Sequence, residues 1–191
     1  MQLNYFGPVR LILRLLPTMR QRRSGQIVNV SSIGVQTNMP RFSAYVASKS
    51  ALDAFSRCIA SEIIDDKVNI TTIHMPLVRT PMIAPTKMYD RFPTITPDEA
   101  ADMLCDAITF KPKRIATPVG TLGQILYAIN PKSMDYILNS AYHMFPDSTA
   151  ARGGSGGGPK EAGAAQRGTS TDEQASNQQL AFAYLMRGVH W

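Results

Sequence analysis

The sequence predicts an α/β fold organised around a parallel sheet. Two observations carry this. Apolar residues recur at helical spacing in successive long segments, and a short strand-like run follows each of them. The order is therefore helix, strand, helix, strand, helix, strand, the alternation that parallel sheets require, and no internal repeat interrupts it.

Residues Phe6 to Arg22 carry the first stripe, through Val9, Ile12, Leu13, Leu16 and Met19. Pro17 falls inside it and is expected to kink the helix or end its first half. Gly25 ends the segment, and Gln26 to Val30 reads as a short apolar strand. Ser31 to Pro40 reads as loop. A second helix is predicted from Ser43 to Ile64, with Tyr45, Lys49, Leu52, Phe55, Ile59 and Ile63 spaced by threes and fours. Val68 to Met75 alternates as a second strand. The segment from Pro76 to Ile95 holds Pro76, Pro81, Pro85 and Pro93, and an irregular stretch of that length usually has a function.

Thr96-Pro97-Asp98-Glu99 is a helix start with a capping threonine, a proline in the first turn and a glutamate to close the capping box. That helix is expected through Ala107, a third strand over Arg114 to Thr117, and two apolar helices over Leu122 to Ile129 and Ser133 to Phe145. Six glycines crowd Gly153 to Gly163, so residues 148–178 read as a flexible linker. Residues 179–191 read as a short docking helix around Phe182, Tyr184, Leu185 and Met186, with contact to a membrane surface or partner as the alternative. Residues 1–147 remain for the folded domain.

The formal net charge is +6, and no Asp or Glu precedes Asp53. Such a region could face nucleic acid, anionic lipid or a phosphorylated cofactor. No basic repeat or nucleic-acid motif accompanies it, so solvated helix ends and interface arginines are expected, with no nucleic-acid partner. Cys58 and Cys105 lie in helical patterns without metal-ligand spacing and are expected to be buried free thiols in a reducing compartment. No secretory pattern opens the chain and no apolar stretch is long enough to span a bilayer. The expected location is cytoplasmic, with peripheral membrane contact left open.

The chemistry concentrates in Ser32, Tyr45 and Lys49. Tyr45 and Lys49 are four residues apart on one helix and share a face. A lysine ammonium favours the phenolate and brings a tyrosine toward useful proton exchange with an alcohol or carbonyl oxygen. A serine hydroxyl at a strand's end can hold the same oxygen. Tyr-x-x-x-Lys alone is common on amphipathic helices; the strand-end serine thirteen residues earlier gives it weight.

On Gly25-Gln26-Ile27-Val28-Asn29-Val30-Ser31-Ser32 and Tyr45-Val46-Ala47-Ser48-Lys49-Ser50-Ala51-Leu52 the chain resembles the short-chain dehydrogenase/reductase family. The resemblance implies Ser32 as the catalytic serine, Tyr45 as acid/base and Lys49 as the residue that binds the nicotinamide ribose. Asn4 matches the asparagine that helps hold a proton-relay water near the lysine. Pro76-Leu77-Val78-Arg79-Thr80-Pro81-Met82 matches the loop that contacts the carboxamide, which assigns cofactor contacts to Pro76, Leu77, Val78 and Thr80 beside Tyr45 and Lys49. The family usually has glycine where Leu77 stands. The similarity runs from Leu3 to Met82, and the later elements keep the family's order as far as Phe145.

The implied fold is the C-terminal portion of a doubly wound, Rossmann-like parallel sheet. The family's Gly-rich phosphate turn and Asn-Ala-Gly turn are not found in the sequence. The chain is thus expected to begin inside the fold, as a truncated product, a misplaced start or a fragment. Downstream, Pro81 to Tyr89, Pro93 to Ala101 and Met144 to Ser148 resemble the bacterial fatty acyl-CoA reductases of this family. The implied reaction is reduction of a long acyl thioester to an aldehyde with NADP(H), NAD(H) remaining open. An alkyl channel is expected from Ile125, Leu126, Ile129, Met134, Ile137, Leu138 and Met144, with Lys87 and Arg91 meeting coenzyme A phosphates. Homo-oligomers pairing through the first two long helices are also implied. Two alternatives stand: a reductase of keto or hydroxy groups on a lipid or small metabolite, and an inactive fragment that only pairs.

Overall fold

The structure, a computed structural model, describes residues 1–81, 83 and 92–144. The expected linker, terminal helix, Lys87 and Arg91 lie outside the described residues. A π-helical turn over Gln2–Phe6 leads into α1, Gly7–Gln21. Then come β1 (Gly25–Ser32), a four-residue helix α2 (Gly34–Thr37), α3 (Ser43–Glu62) and β2 (Val68–Met75). The described elements end with α4 (Pro97–Phe110), β3 (Arg114–Ala116), α5 (Pro118–Ile129) and α6 (Pro131–Met144).

The three strands are parallel in the order β1-β2-β3. β1 and β2 pair along their full length, from Gly25 opposite Val68 to Ser32 opposite Met75, and Thr72 to His74 pair with Arg114 to Ala116. Side chains alternate across the sheet. Ile27 and Ile70 face α1 and α3, where Leu16, Ile63 and Val68 complete a buried core. Gln26 points the other way and donates to the Ala107 carbonyl of α4 at 2.7 Å. Helices therefore cover both faces, as the doubly wound reading requires. Each fully buried Ile or Val of this core contributes about 1.5–3 kcal/mol.

Several local expectations are corrected. Pro17 neither ends nor divides α1, which continues to Gln21. Ile12 and Leu16 are buried, so packing beside the proline offsets its missing donor, a defect of about 3 kcal/mol in an unsupported helix. The first strand reaches Ser32, and the expected loop after it contains α2, closed by Asn38 in the left-handed region at φ 52°. α5 starts a turn earlier than expected because Thr117 accepts from the Gly120 N–H and Pro118 opens the helix. Cys58 and Cys105 are exposed, contrary to the expectation of buried thiols. On α3 the inward positions are instead Leu52, Asp53 and Ser56, and on α4 Ala107.

The arginines at the end of α1 have nearby acceptors. Arg20 pairs with Asp66 at 2.6 Å, and Arg23 donates to the Asp65 carbonyl at 2.7 Å. The capping box of α4 forms as expected: Glu99 N–H donates to Thr96 Oγ1, and Thr96 N–H donates to the Glu99 carboxylate. No described helix is long and apolar enough to cross a membrane.

Candidate active site

The C-terminal ends of β1 and β2 open into a cavity of about 400 Å³. This is where parallel sheets leave room for ligands, since backbone and loops diverge beyond the strand ends. Ser32 is the last residue of β1, and Tyr45 and Lys49 project from the first turns of α3; all three line the cavity. Pro76, Leu77 and Val78, directly after β2, form part of its wall. The structure thus brings together Ser32, Tyr45, Lys49, Pro76, Leu77 and Val78.

Each side chain is held by its element. Lys49 Nζ donates to the Val30 carbonyl at 2.9 Å, which ties α3 to β1. Burial holds the Lys49 ammonium below the ordinary lysine range, because desolvation disfavours its charged form. Ser32 Oγ accepts from the Gly34 N–H at 3.1 Å, so the short helix α2 fixes the hydroxyl's position. Tyr45 is 42% exposed and presents its ring to the open cavity. Ser31 is buried in the same wall, its hydroxyl without a hydrogen-bond partner among the described residues.

Asn4 and Thr80 do not line the cavity. Asn4 belongs to the π-helical turn, and its side-chain amide donates to Ser48 Oγ at 3.1 Å. Ser48 in turn donates to the Tyr45 carbonyl at 2.7 Å, so Asn4 reaches the site through the backbone that carries Tyr45. The Thr80 carbonyl accepts from Ile83 N–H at 3.1 Å in a turn beyond the cavity wall.

The residues expected to form an alkyl channel lie away from this cavity. None of Ile125, Leu126, Ile129, Met134, Ile137 and Leu138 lines the cavity, and the side chain of Met144 lies outside the described set. Met39, Phe42, Val46, Phe92 and Val119 supply the apolar wall. Sequence reading missed them because they come from a loop, one turn of α3, a proline-flanked segment and the first turn of α5. Only Val46 shared the recognised motif. Among the described residues, Gly34 is the single glycine in that wall.

A second, polar cavity of about 330 Å³ lies between α3, β2, β3 and α5. There the buried His74 ring has Nε2 3.6 Å from Asp53 Oδ1, while Arg57 pairs with Asp53 at 3.3 Å. Burial holds His74 below the usual histidine range; Asp53 opposes that shift, and Arg114 and Arg57 add to it. No group of His, Cys, Asp and Glu among the described residues could hold a metal ion.

The family model for short chain dehydrogenase matches residues 1–89. The chain is 52% identical over all its 191 residues to a fatty acyl-CoA reductase of Acinetobacter baylyi, of which it covers 59%. It is 45% identical over 139 residues to a fatty acyl-CoA reductase of Mycobacterium tuberculosis, covering 72% of this chain and 47% of that protein. A crystal structure of a short-chain dehydrogenase from Streptomyces avermitilis superposes with a TM-score of 0.55 at 28% identity, over 70% of this chain and 57% of that one. The chain spans between about half and three fifths of the length of the curated relatives named here. With Ser32, Tyr45 and Lys49 gathered at the end of a parallel sheet, the chain is similar to short-chain dehydrogenases over residues 1–89 and to a fatty acyl-CoA reductase over all its residues.

Proposed function

We propose that this chain carries the catalytic residues of an NADPH-dependent reductase that converts a long-chain acyl thioester into an aldehyde. The observation that carries the reading is the cavity itself, which has Ser32, Tyr45 and Lys49 in a wall that also includes the apolar Met39, Phe42, Val46, Phe92 and Val119. An apolar enclosure with a few converging polar groups suits a ligand with one reactive carbonyl and a hydrocarbon tail. The similarity to two fatty acyl-CoA reductases supports the same substrate class.

The residues present fit the nicotinamide end of a dinucleotide. Tyr45 and Lys49 offer hydroxyl and ammonium donors, and the backbone of Pro76 to Val78 forms a wall of the same cavity. A nucleotide held there would supply the hydride for the thioester carbonyl carbon. Tyr45 donates its hydroxyl proton to the carbonyl oxygen as charge develops there. Ser32 holds that oxygen by hydrogen bonding, aided by its fixed position against Gly34. Lys49 favours the resulting phenolate and would hold the ribose of a bound nucleotide. Breaking the carbon–sulfur bond releases the thiolate, and return of the oxygen's proton leaves an aldehyde. Asn4 acts as a positioning residue through Ser48. Pairing of copies through α1 is supported by its exposed Leu11, Leu13 and Leu15.

The test is NADPH oxidation by a full-length protein containing this chain, with long-chain acyl-CoA beside a panel of ketones. Aldehyde formed from acyl-CoA supports the proposal. Turnover of ketones alone moves the site to the keto-reductase reading.

A further inference from the structure

α5 and α6 form a hairpin, and the apolar stripe of α5 is not what seats it. Leu122, Ile125, Leu126 and Ile129 stand at i, i+3, i+4 and i+7, a spacing that ordinarily marks a helix's buried side. Among the described residues that stripe is open: Ile125 is 49% exposed and Ile129 75%. Apart from α6, α5 packs chiefly on the short helix α2. Gly120 and Gly123, one turn apart, face Gln36 and Thr37 there. A Cβ at Gly120 would collide with the Gln36 amide, so glycine is what admits this side chain. Gln36 is 1% exposed, and its Oε1 has no hydrogen-bond partner among the described residues. A buried amide kept half-satisfied, where a methionine would fill similar space, calls for an explanation.

The other end of that amide supplies it. Gln36 Nε2 donates to Gln124 Oε1 of α5 at 3.3 Å, and Arg114 Nη1 of β3 donates to the same oxygen at 3.0 Å. A guanidinium can only donate, so Arg114 fixes which way the Gln124 amide points, and Gln36 must supply the second donor. We propose that Gln36 is a positioning residue for the active site: through Gln124 it clasps α2 to α5, and so holds the wall against which the substrate's hydrocarbon tail lies. α2 and its cap contribute Ile33, Gly34 and Thr37 to the cavity, and α5 contributes Val119, the neighbour of Gly120. Tyr45, Lys49 and Pro76 to Val78, assigned above to the nucleotide, belong to neither helix. The clasp therefore acts on the acyl substrate and leaves nucleotide binding alone. It rests on the acyl-thioester reading for the identity of the substrate, and on geometry alone for the hold on α2.

The experiment compares Gln36→Met, Gln124→Leu and Gln124→Glu in a full-length protein containing this chain. Kinetics with hexadecanoyl-CoA are read beside nucleotide titration and hydrogen exchange at the Gln36, Thr37 and Asn38 amides, which donate to the Ile33 and Gly34 carbonyls within α2. Gln36→Met and Gln124→Leu should raise KM for hexadecanoyl-CoA by on the order of tenfold and speed that exchange similarly, with nucleotide affinity unchanged. Gln124→Glu should match the unaltered protein, because a carboxylate accepts from both Gln36 and Arg114. Gln124 is exposed, so its two variants decide the matter if Gln36→Met disturbs folding. Equal losses in Gln124→Glu and Gln124→Leu, unchanged exchange in Gln124→Leu, or a matching fall in nucleotide affinity would overturn the proposal. If the unaltered protein reduces ketones and not hexadecanoyl-CoA, the substrate reading fails by itself. The ketone's KM and the amide exchange must then rank the variants in the same order, or the clasp fails too.

Discussion

The β1–α3–β2 unit and the α5–α6 hairpin invert the usual relation between polarity and burial. In the first, polar side chains are inside: Asn29, Ser48, Ser56, Thr71 and Thr72 are all buried. Their hydrogen bonds explain how. Asn29 donates to Ser56 Oγ at 2.8 Å, Ser56 donates to the Leu52 carbonyl at 2.7 Å, and Thr71 donates to the Pro112 carbonyl at 2.6 Å. In the hairpin, aliphatic side chains at core-like spacing are outside. The lesson is that hydrophobic period reports an element's type, while neighbours decide what is buried. The unit that carries the candidate site joins its strands and helix through satisfied polar contacts, which are directional where apolar packing is not.

The comparison is broken most severely at Lys49. In a full-length protein containing this chain, Lys49→Ala should lower turnover by at least about 10²-fold and also weaken nucleotide binding. Steady-state kinetics beside nucleotide titration reads both effects. Unchanged nucleotide affinity would confine Lys49 to the proton-transfer role.

The next effect concerns buried polarity. Ser56→Ala removes the partner of the Asn29 amide and should cost about 1–3 kcal/mol in chemical denaturation. Ile125→Ala on the hairpin, although it removes a larger apolar group, should cost less than about 0.5 kcal/mol. The reverse ranking would contradict the burial described for both regions.

Two neighbouring glycines sharpen the boundary between hairpin and site. A Cβ at Gly120 would stand 2.5 Å from Gln36 Oε1 and 3.0 Å from Ile33 Cγ1. Gly120→Ala should therefore cost about 1–3 kcal/mol and disturb the cavity wall. At Gly123 the nearest atom is Thr37 Cγ2 at 3.5 Å, an ordinary contact. Gly123→Ala should be neutral or stabilise by up to about 1 kcal/mol. Thermal melts of the pair check the difference.

The smallest effect is a pH dependence at His74. Its folded pKa lies below its ordinary value, so the unfolded chain binds the proton more readily. The stability this contributes is present above the ordinary value of 6.5 and is lost as pH falls below it toward the folded value. Melting temperature should decline through that acid window in the unaltered chain, and less steeply in His74→Gln. Parallel declines would assign the acid sensitivity to other groups.

The same contrast explains what was legible in the sequence. β2 was readable from Val68 to Met75 because alternation and flanking breakers agree, and α4 announced its start through Thr96, Pro97 and Glu99. Ser32, Tyr45 and Lys49 were readable because their spacing is local to one strand end and one helix. The cavity wall was not, since Met39, Phe92 and Val119 approach from segments far apart in the chain. The exposure of Cys58 and of the α5 stripe was hidden for a related reason: period alone does not say which stripe meets the sheet. The link from Asn4 to Ser48 depends on a π-helical turn that no residue type announces.

The central claim is that Tyr45 delivers the proton at the reacting oxygen, and the most direct measurement is Tyr45→Phe in a full-length protein containing this chain. Tyr45 is 42% exposed and its ring is not part of the core, so the melting temperature should be unchanged. Turnover of acyl-CoA, followed as aldehyde formed, should fall by about 10² to 10⁴-fold while nucleotide still binds. A variant that folds, binds nucleotide and forms aldehyde at the unaltered rate would contradict the account.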